Sequence, residues 1–335
     1  MFKISMLGAI IALALLPAVA AAEPIKLKLA FHTSDRASIS NAAVKPFVEA
    51  VNAEARGLIE IEVYYSGALG KSLAQQPQLV LDGVADIALV IPGLVLDRFS
   101  DTTIIELPGL YRSMREATLT FTRLIAAKAM KGYDDFFVIG AYGSELESVS
   151  SRPPITSLES LKGKKIRVNN PTEGAALEKL GMQPMVIQVN LISEAISSGE
   201  IDGAAVPVTM LFEYGIARVA TYHYSQPLGP APLALLMNRK KLESLPRPAQ
   251  DIIRKYSGEW VAARFIDARS EVENQVIAQL KSDTRRKVII PSPSDLARAE
   301  AVFKMITDEF AGKSDHNREL LRAARSEIAR IRASE

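Results

Sequence analysis

Among the side chains of this chain that can do chemistry, Arg167 has the most constrained setting. It stands in Lys165-Ile166-Arg167-Val168, a short apolar run that reads as a strand, close to the carboxyl end. A guanidinium among apolar neighbours must find a partner or face a crevice, because a buried unpaired charge is too costly. Asn169 follows at once and adds a polar side chain at the strand end. Signals for catalysis are thin by comparison. There is no Gly-x-Ser-x-Gly and no His-Glu-x-x-His, cysteine is absent, and His32, His223 and His316 are far apart. A metal site lacks ligands and no cofactor is expected. Gly67 and Gly70 precede Lys71-Ser72 at the wrong spacing for a phosphate loop and read as a turn. Carboxylates are numerous, so an acid–base pair stays open at this point. The chemistry best indicated is capture of an anion by a planar cationic fork.

The elements that would position Arg167 lie in residues 161–207. A strand over 165–168 stops at Asn169-Asn170-Pro171-Thr172, which supplies capping residues for a helix over 174–180 closed by Gly181. A strand over 185–189, a helix over 192–198 closed by Gly199, and a strand over 201–206 follow. This βαβαβ grammar predicts a parallel sheet with its ligand crevice beyond the carboxyl ends of the strands. The same grammar occupies 25–91, with strands over 25–31, 59–65 and 86–91 and helices over 38–56 and 72–82. Even one joint repeats, as Gly83-Val84-Ala85-Asp86 and Gly199-Glu200-Ile201-Asp202. The expected fold is therefore α/β and two-lobed, of the periplasmic-binding-protein type, each lobe a mainly parallel sheet flanked by helices with a cleft between. His32 and Thr33, after the first strand, should face that cleft from one side and Asn169 from the other. Val206, at the end of the 201–206 strand, and Phe212 beyond it would offer an apolar wall.

The rest of the chain reads as connections and covering helices. Amphipathic or charged helices are expected over 113–130, 208–220, 295–310 and 319–332, and one long helix over 246–281 with a solvated charged face at 264–273 and Trp260 in the core. Strands are expected over 136–142, 221–224 and 233–238. The polar stretch 145–151, leading to Arg152-Pro153-Pro154, would carry the chain between lobes. The expected division is 1–22 as a signal peptide, 23–147 with about 230–275 as the first lobe, and 148–229 with about 276–335 as the second.

Composition narrows the compartment and the partners. With 335 residues, 48% of them hydrophobic, the chain can bury two cores, and 40 basic against 38 acidic residues leave a net charge of +2. Nothing there suggests a nucleic-acid partner. Residues 1–22 carry Lys3, an apolar stretch and small residues at Ala18-Val19-Ala20 and Ala20-Ala21-Ala22, the pattern of a cleaved export signal. The apolar stretch falls short of the roughly 20 residues that span a bilayer. A periplasmic, monomeric protein that does not span the membrane when mature is expected.

The order of motifs resembles a known family. Tyr64 to Gly70, Leu81-Asp82-Gly83-Val84-Ala85-Asp86, Glu106-Leu107-Pro108-Gly109-Leu110-Tyr111-Arg112, Leu161-Lys162-Gly163-Lys164-Lys165-Ile166-Arg167-Val168, Ser198-Gly199-Glu200-Ile201-Asp202-Gly203 and Leu236-Met237-Asn238-Arg239 together are similar to the DctP-like substrate-binding proteins of tripartite ATP-independent periplasmic (TRAP) transporters. The resemblance covers essentially the whole mature chain. It implies a receptor, not an enzyme, which closes around a small organic acid, binds its carboxylate through Arg167, and delivers it to a sodium-coupled pair of permease subunits. Two departures bear on the solute. The family commonly has Asn where this chain has Val206. Its sialic-acid branch has an arginine about twenty residues before the strand arginine, where this chain has Glu145-Leu146-Glu147. Both speak for a monocarboxylate with an aliphatic or aromatic body, such as a 2-oxo or 2-hydroxy acid, over a sugar acid or a C4-dicarboxylate. An exported enzyme using the same cleft and a receptor serving a sensor remain the alternatives.

Overall fold

The computed structural model describes residues 23–335; the expected signal peptide, 1–22, lies outside the described residues. The strands are β1 Ile25–Ala30, β2 Ile59–Tyr64, β3 Ile87–Val90, β4 Phe136–Gly143, β5 Ser148–Ser151, β6 Lys165–Val168, β7 Gln183–Val186, β8 Gly203–Val206, β9 Tyr222–Tyr224, β10 Pro232–Asn238 and β11 Lys287–Ile289. They form two sheets, ordered β2-β1-β3-β10-β4 and β11-β9-β5-β8-β6-β7. In each, the repeated unit supplies three parallel strands, β2-β1-β3 and β7-β6-β8. Strands from elsewhere in the chain extend each sheet antiparallel, β10 beside β3 and β5 beside β8. This is the two-sheet α/β architecture that the repeat implies.

The repeated Gly-x-x-Asp joint has the same physical job in both halves. Gly83 and Gly199 sit at φ 71° and 82°, left-handed conformations that let the preceding helix stop without a Cβ clash. Asp86 then accepts the Lys28 N–H on its carboxylate at 2.8 Å and returns its own N–H to the Lys28 carbonyl at 2.9 Å. Asp202 does the same to Lys165, at 2.8 Å each way. The aspartate thus clips the start of the last strand of each unit to the first, and in the second unit that strand is β6, which carries Arg167.

Two short segments carry the chain between the sheets, 144–147 from β4 to β5 and 225–231 from β9 to β10. They are bonded to one another: Ser144 N–H donates to the Ala231 carbonyl at 2.8 Å, and Leu228 N–H to the Glu147 carbonyl at 2.9 Å. A third connection is the helix Glu259–Ser282, whose Val261 and Phe265 pack in the core of the first sheet and whose Val276 and Leu280 pack in a core of the second. The helix Asp315–Ala333 lies along Met114–Ala126, on the first sheet's side, while Pro293–Gly312 packs on Pro171–Lys179 of the second.

Several expected helices are shorter than the sequence pattern suggests. The 38–56 helix is two pieces, Ser38–Ala43 and Lys45–Glu54, because Pro46 starts a new first turn. The 72–82 helix begins only at Gln76, and 208–220 is a single turn, Met210–Glu213, followed by a 3₁₀ turn after Gly215 at φ 68°. The strand expected at 185–189 lies at Gln183–Val186. Trp260 is half-buried, with the Arg264 guanidinium 3.5 Å from its ring centre. The expected 246–281 helix is cut into Arg247–Lys255 and Glu259–Ser282. At the cut, Gly258 holds φ 64°, ψ −129° and donates its N–H to the Ile139 carbonyl in β4 at 2.8 Å. Only glycine reaches that backbone region without strain, so Gly258→Ala should lower stability by about 1–3 kcal/mol in urea unfolding, with the slope unchanged. An unchanged midpoint would mean that the joint re-forms with another geometry.

Candidate functional site

Arg167 is 6% exposed at the carboxyl end of β6. Its guanidinium donates to the Ile187 carbonyl from Nε and to the Ala205 carbonyl from Nη1, both at 3.2 Å, and reaches Asn169 Oδ1 from Nη2 at 3.4 Å. These are long contacts to neutral acceptors. Among the described residues no carboxylate comes within 4.0 Å of it. A buried cation with only carbonyl partners leaves most of its desolvation uncompensated and can still give a charge-assisted pair.

Asn169 connects Arg167 to a second feature. Its backbone N–H donates to Glu173 Oε2 at 2.8 Å, while the Glu173 N–H donates to Asn170 Oδ1 at 2.8 Å. Asn170 thus caps the start of Pro171–Lys179, and the Glu173 side chain reaches back past it to Asn169. Two further carboxyls are buried nearby. Glu147 lies on the 144–147 crossing beside the end of β8, and Glu106 ends the short helix Thr103–Glu106 below the crossings, where the Gly229 backbone passes so close that a Cβ there would meet the Glu106 carbonyl. Glu106, Glu147 and Glu173 are 1%, 2% and 3% exposed; both Glu106 carboxylate oxygens have no protein partner, whereas the Glu147 and Glu173 carboxyls hydrogen-bond to one another.

The titration behaviour follows from that burial. Loss of hydration, aided by the Glu173 charge, pushes Glu106 up to about 8. Glu147 is raised well above the ordinary carboxyl range, by burial first and then by Glu173, with Arg167 pulling the other way. Burial also raises Glu173, held back by Glu147, by the Asn169 N–H and by Arg167. Glu147 and Glu173 are hydrogen-bonded to one another and both feel the Arg167 guanidinium, whereas Glu106 feels the Glu173 charge alone.

Of the residues singled out in the sequence, Arg167 and Asn169 are in contact. His32 and Thr33 lie at the carboxyl end of β1, and the His32 Nδ1 and Thr33 Oγ1 are buried without partners. Burial pushes His32 down to about 4, so the ring is neutral. No hydrogen bond or ion pair among the described residues joins these two to Arg167. Val206 is fully buried and packs with Ile192, Ile196 and Leu211, so its side chain belongs to a core and not to an open wall. Phe212 is half-buried under the Arg286 guanidinium, 5.3 Å from its ring centre.

What the sequence pattern missed is a polar network between the two halves. Arg269, expected on a solvated face, is 5% exposed. Its Nη2 donates to Glu145 Oε2 at 2.9 Å and to Thr209 Oγ1 at 2.6 Å, its Nη1 donates to Ser38 Oγ at 2.7 Å, and its Nε meets Glu145 Oε1 at 2.8 Å off the hydrogen-bonding direction. Ser38 in turn donates its hydroxyl to Glu213 Oε2 at 2.6 Å. Ser38 begins the helix that follows β1 and Thr209 and Glu213 follow β8, so the network spans the strand ends of both sheets. A cavity of about 430 Å³ lies between the crossings and the long helix, lined among others by Arg112, Leu146, Glu147, His223 and Glu273; Arg167 does not line it. Among the described residues no helix is long and apolar enough to cross a membrane.

Two sheets with C-terminal strand ends turned to a shared junction, bridged by short crossings and one long helix, are the architecture of two-lobed solute-binding proteins. Residues 30–313 match the DctP family, described as bacterial extracellular solute-binding protein, family 7, and the chain belongs to that family. It is a solute-binding protein and not an enzyme. The C4-dicarboxylate-binding periplasmic protein DctP of Rhodobacter capsulatus is 22% identical over 302 residues, covering 87% of this chain and 88% of the relative. A marine metagenome TRAP solute-binding protein specific for aromatic acid ligands, crystallised with 3-hydroxybenzoate, superposes with a TM-score of 0.83 at 24% identity, covering 92% of this chain and 99% of that one. One from Bordetella bronchiseptica with bound mandelate gives 0.81 at 16% identity, covering 92% and 100%.

The buried carboxyls predict how stability depends on pH. Glu106 keeps its proton when folded up to about pH 8 but loses it near 4.5 when unfolded, so between those values the folded state binds more protons and stability falls as pH rises. His32 and His223, both pushed down to about 4 mainly by burial, act in the opposite sense between 4 and 6.5. Above 6.5 only the carboxyl effect remains. The unfolding midpoint of solute-free protein should therefore drop from pH 6.5 to 8, and Glu106→Gln should flatten that drop. An equally steep drop in the variant would show that Glu106 ionises normally.

Proposed function

We propose that this chain is the periplasmic receptor of a TRAP transporter, capturing a small organic monocarboxylate where the strand ends of its two sheets meet and passing it to the membrane permease subunits. The observation that carries this reading is Arg167: a buried guanidinium at the carboxyl end of a parallel strand, held by carbonyls alone. A solute carboxylate would complete its hydrogen bonding in two parallel bonds. A single acid group is favoured because the ionisable groups that share the burial of Arg167, Glu147 and Glu173, are acids and supply no second cation to pair with another carboxylate. Relatives named for binding a C4-dicarboxylate, aromatic acids and mandelate make an organic acid the natural class. An aliphatic or aromatic body is proposed for the remainder of the solute, with polar contacts from His32 and Thr33, a reading supported by their buried, unpartnered Nδ1 and Oγ1. Residues 1–22 serve as the export signal, and the receptor works as a monomer.

Capture would proceed by hinge closure. The lobes are taken to divide at the 144–147 and 225–231 crossings, and the Ser38–Glu213 and Ser38–Arg269 bonds, which tie the two halves, would make and break as the cleft works. With protein stripped of solute by unfolding and refolding, calorimetry against succinate, glucuronate, a branched-chain 2-oxo acid and 3-hydroxybenzoate should find binding among the monocarboxylates. Arg167→Ala should weaken it by about 2–5 kcal/mol, and Arg167→Lys should recover only part because an ammonium lacks the planar fork. Undiminished binding in Arg167→Ala would refute the anchor, and preference for succinate or glucuronate would refute the monocarboxylate class. Small-angle scattering should show a smaller radius of gyration at saturating ligand, and a constant radius would argue against hinging.

A further inference from the structure

The helix Glu259–Ser282 lies over one face of the second sheet, and the side chains of that face do not fill the space beneath it. His223 in β9 is in register with Ser150 in β5 and Val288 in β11. Strand alternation puts Ser148, Ser225 and Ile290, each two residues on, toward the same face. Across from them the helix presents Glu273, Ile277, Leu280 and Lys281, one stripe at helical spacing. Small polar side chains stand where a helix ordinarily rests on apolar ones, and the result is the cavity of about 430 Å³. Residues 112–114, on the first sheet's side, and Leu146 and Pro227, on the two crossings, close it, so it touches both halves of the molecule. In the strand order the cavity covers β11, β9 and β5, whereas Arg167 stands on β6, beyond β8.

One deeply buried group of the lining lacks a partner. His223 is 4% exposed; Ser150 Oγ lies 2.8 Å from its Nδ1, and its Nε2 has no hydrogen-bond partner. Burial, aided by Arg286, pushes the ring down to about 4, so it is neutral. With the Ser150 hydroxyl donating to Nδ1, Nε2 carries the ring proton and is a donor. The rim supplies charge. Arg112 and Lys281 are exposed, and among the described residues neither cationic group has a carboxylate within 4.0 Å. Glu116, one turn from Arg112, is held through both oxygens by Arg332. The acids of the lining do not cancel these charges. Burial, with the Glu145 charge adding to it and Arg269 opposing, pushes Glu273 up to about 7, and burial raises Glu147 well above the ordinary carboxyl range. At about pH 6 both are mostly protonated, and the lining carries two positive charges against almost no negative one.

The geometry points to a second binding site in this cavity, separate from Arg167, for an amphipathic organic anion. The acid head accepts hydrogen bonds from His223 Nε2 and the Ser148 and Ser225 hydroxyls under the attraction of Arg112 and Lys281, and the apolar body lies on Ile277, Leu280 and Val288. Donors within and cations at the rim favour an anion over a neutral or cationic molecule of the same shape. The apolar helix stripe favours an alkyl or aryl body over an inorganic ion. The site does not rest on the anchor reading of Arg167, and loss of either leaves the other in place.

The chain has three histidines, His32, His223 and His316, so labelling the histidine Cε1 with carbon-13 gives three ring signals that report where a probe binds. The probes are octanoate and, matched in body, octan-1-ol and octylammonium. They are titrated at about pH 6 into solute-stripped mature Arg167→Ala protein, in which the anchor site does not compete. Octanoate should move the His223 signal, assigned by its loss in His223→Gln, and saturate at millimolar concentration or below. The two uncharged-head and cationic-head probes should bind more weakly by roughly 10-fold or more, and so should octanoate to the double variant Arg112→Glu, Lys281→Glu, altered only at exposed positions. A His223 signal that stays in place at millimolar octanoate overturns the inference, as does an alcohol or ammonium that moves it as readily, or an octanoate affinity unmoved by charge reversal. Movement of the His32 signal alone would put octanoate in the solute cleft and overturn it too. Should the double variant fail to fold, the comparison of octanoate with octan-1-ol decides by itself.

Discussion

The ion pair between Arg269 and Glu145 is the contact on which the junction depends. Both groups are buried, one on the helix that runs past both sheets and the other on the crossing between them, and the same guanidinium also binds hydroxyls that follow β1 and β8. Taking two charges out of water costs several kcal/mol per ion before their attraction offsets it, so such a pair is weak evidence for stability as such. Its geometry is better explained by register. One planar fork with three partners from three segments fixes how the halves meet, and Ser38, shared between Arg269 and Glu213, is the point where that register can be released.

Arg167 differs from Arg269 in what its guanidinium is paired with. Each is a buried guanidinium, but Arg269 has an ion pair and two hydroxyls, whereas Arg167 has only long contacts to carbonyls and one amide oxygen. Its place is set by backbone. The Asp202 clip onto Lys165 aligns β6 with β8, the Asn170 cap begins a helix directly after the strand, and the guanidinium reaches the Ile187 carbonyl beyond β7 and the Ala205 carbonyl in β8. Rigid elements thus carry a group whose own hydrogen bonding is incomplete, which is the general condition for a preorganised site.

Burying Glu106, Glu147 and Glu173 makes the junction sensitive to protons. Raised carboxyls store unfavourable free energy when ionised at neutral pH, and protons that hold them neutral stabilise the folded state by mass action.

Local pattern was enough for much of this molecule. The doubled βαβαβ grammar and the repeated Gly-x-x-Asp joint indicated two α/β units, since periodicity and glycine helix stops are local, although the aspartate clip itself reaches back 58 residues to Lys28 and 37 to Lys165, and Arg167 was conspicuous because a charge in a strand-like apolar run contradicts its surroundings. Capping residues at Asn169 to Thr172 were equally readable, and Asn170 is the one that caps. Breaks at Pro46 and Gly258 were missed or underweighted where amphipathic periodicity ran on across them, and for Gly258 the deciding bond goes to Ile139 in a different strand. Arg269 looked like one charge among many on a helix surface, and Glu106 and Glu147 like ordinary acids, because nothing in sequence states what will lie across from them. Val206 was readable as apolar but not as pointing into a core. What the sequence determined by itself was the order of strands and helices in the two units and the presence of an anomalous arginine, both legible from the local pattern of apolar, polar and glycine residues. Which charges are buried together, and so the electrostatic character of the site, was decided only by tertiary packing, because it depends on side chains brought together from segments as far apart as Ser38, Glu145 and Arg269.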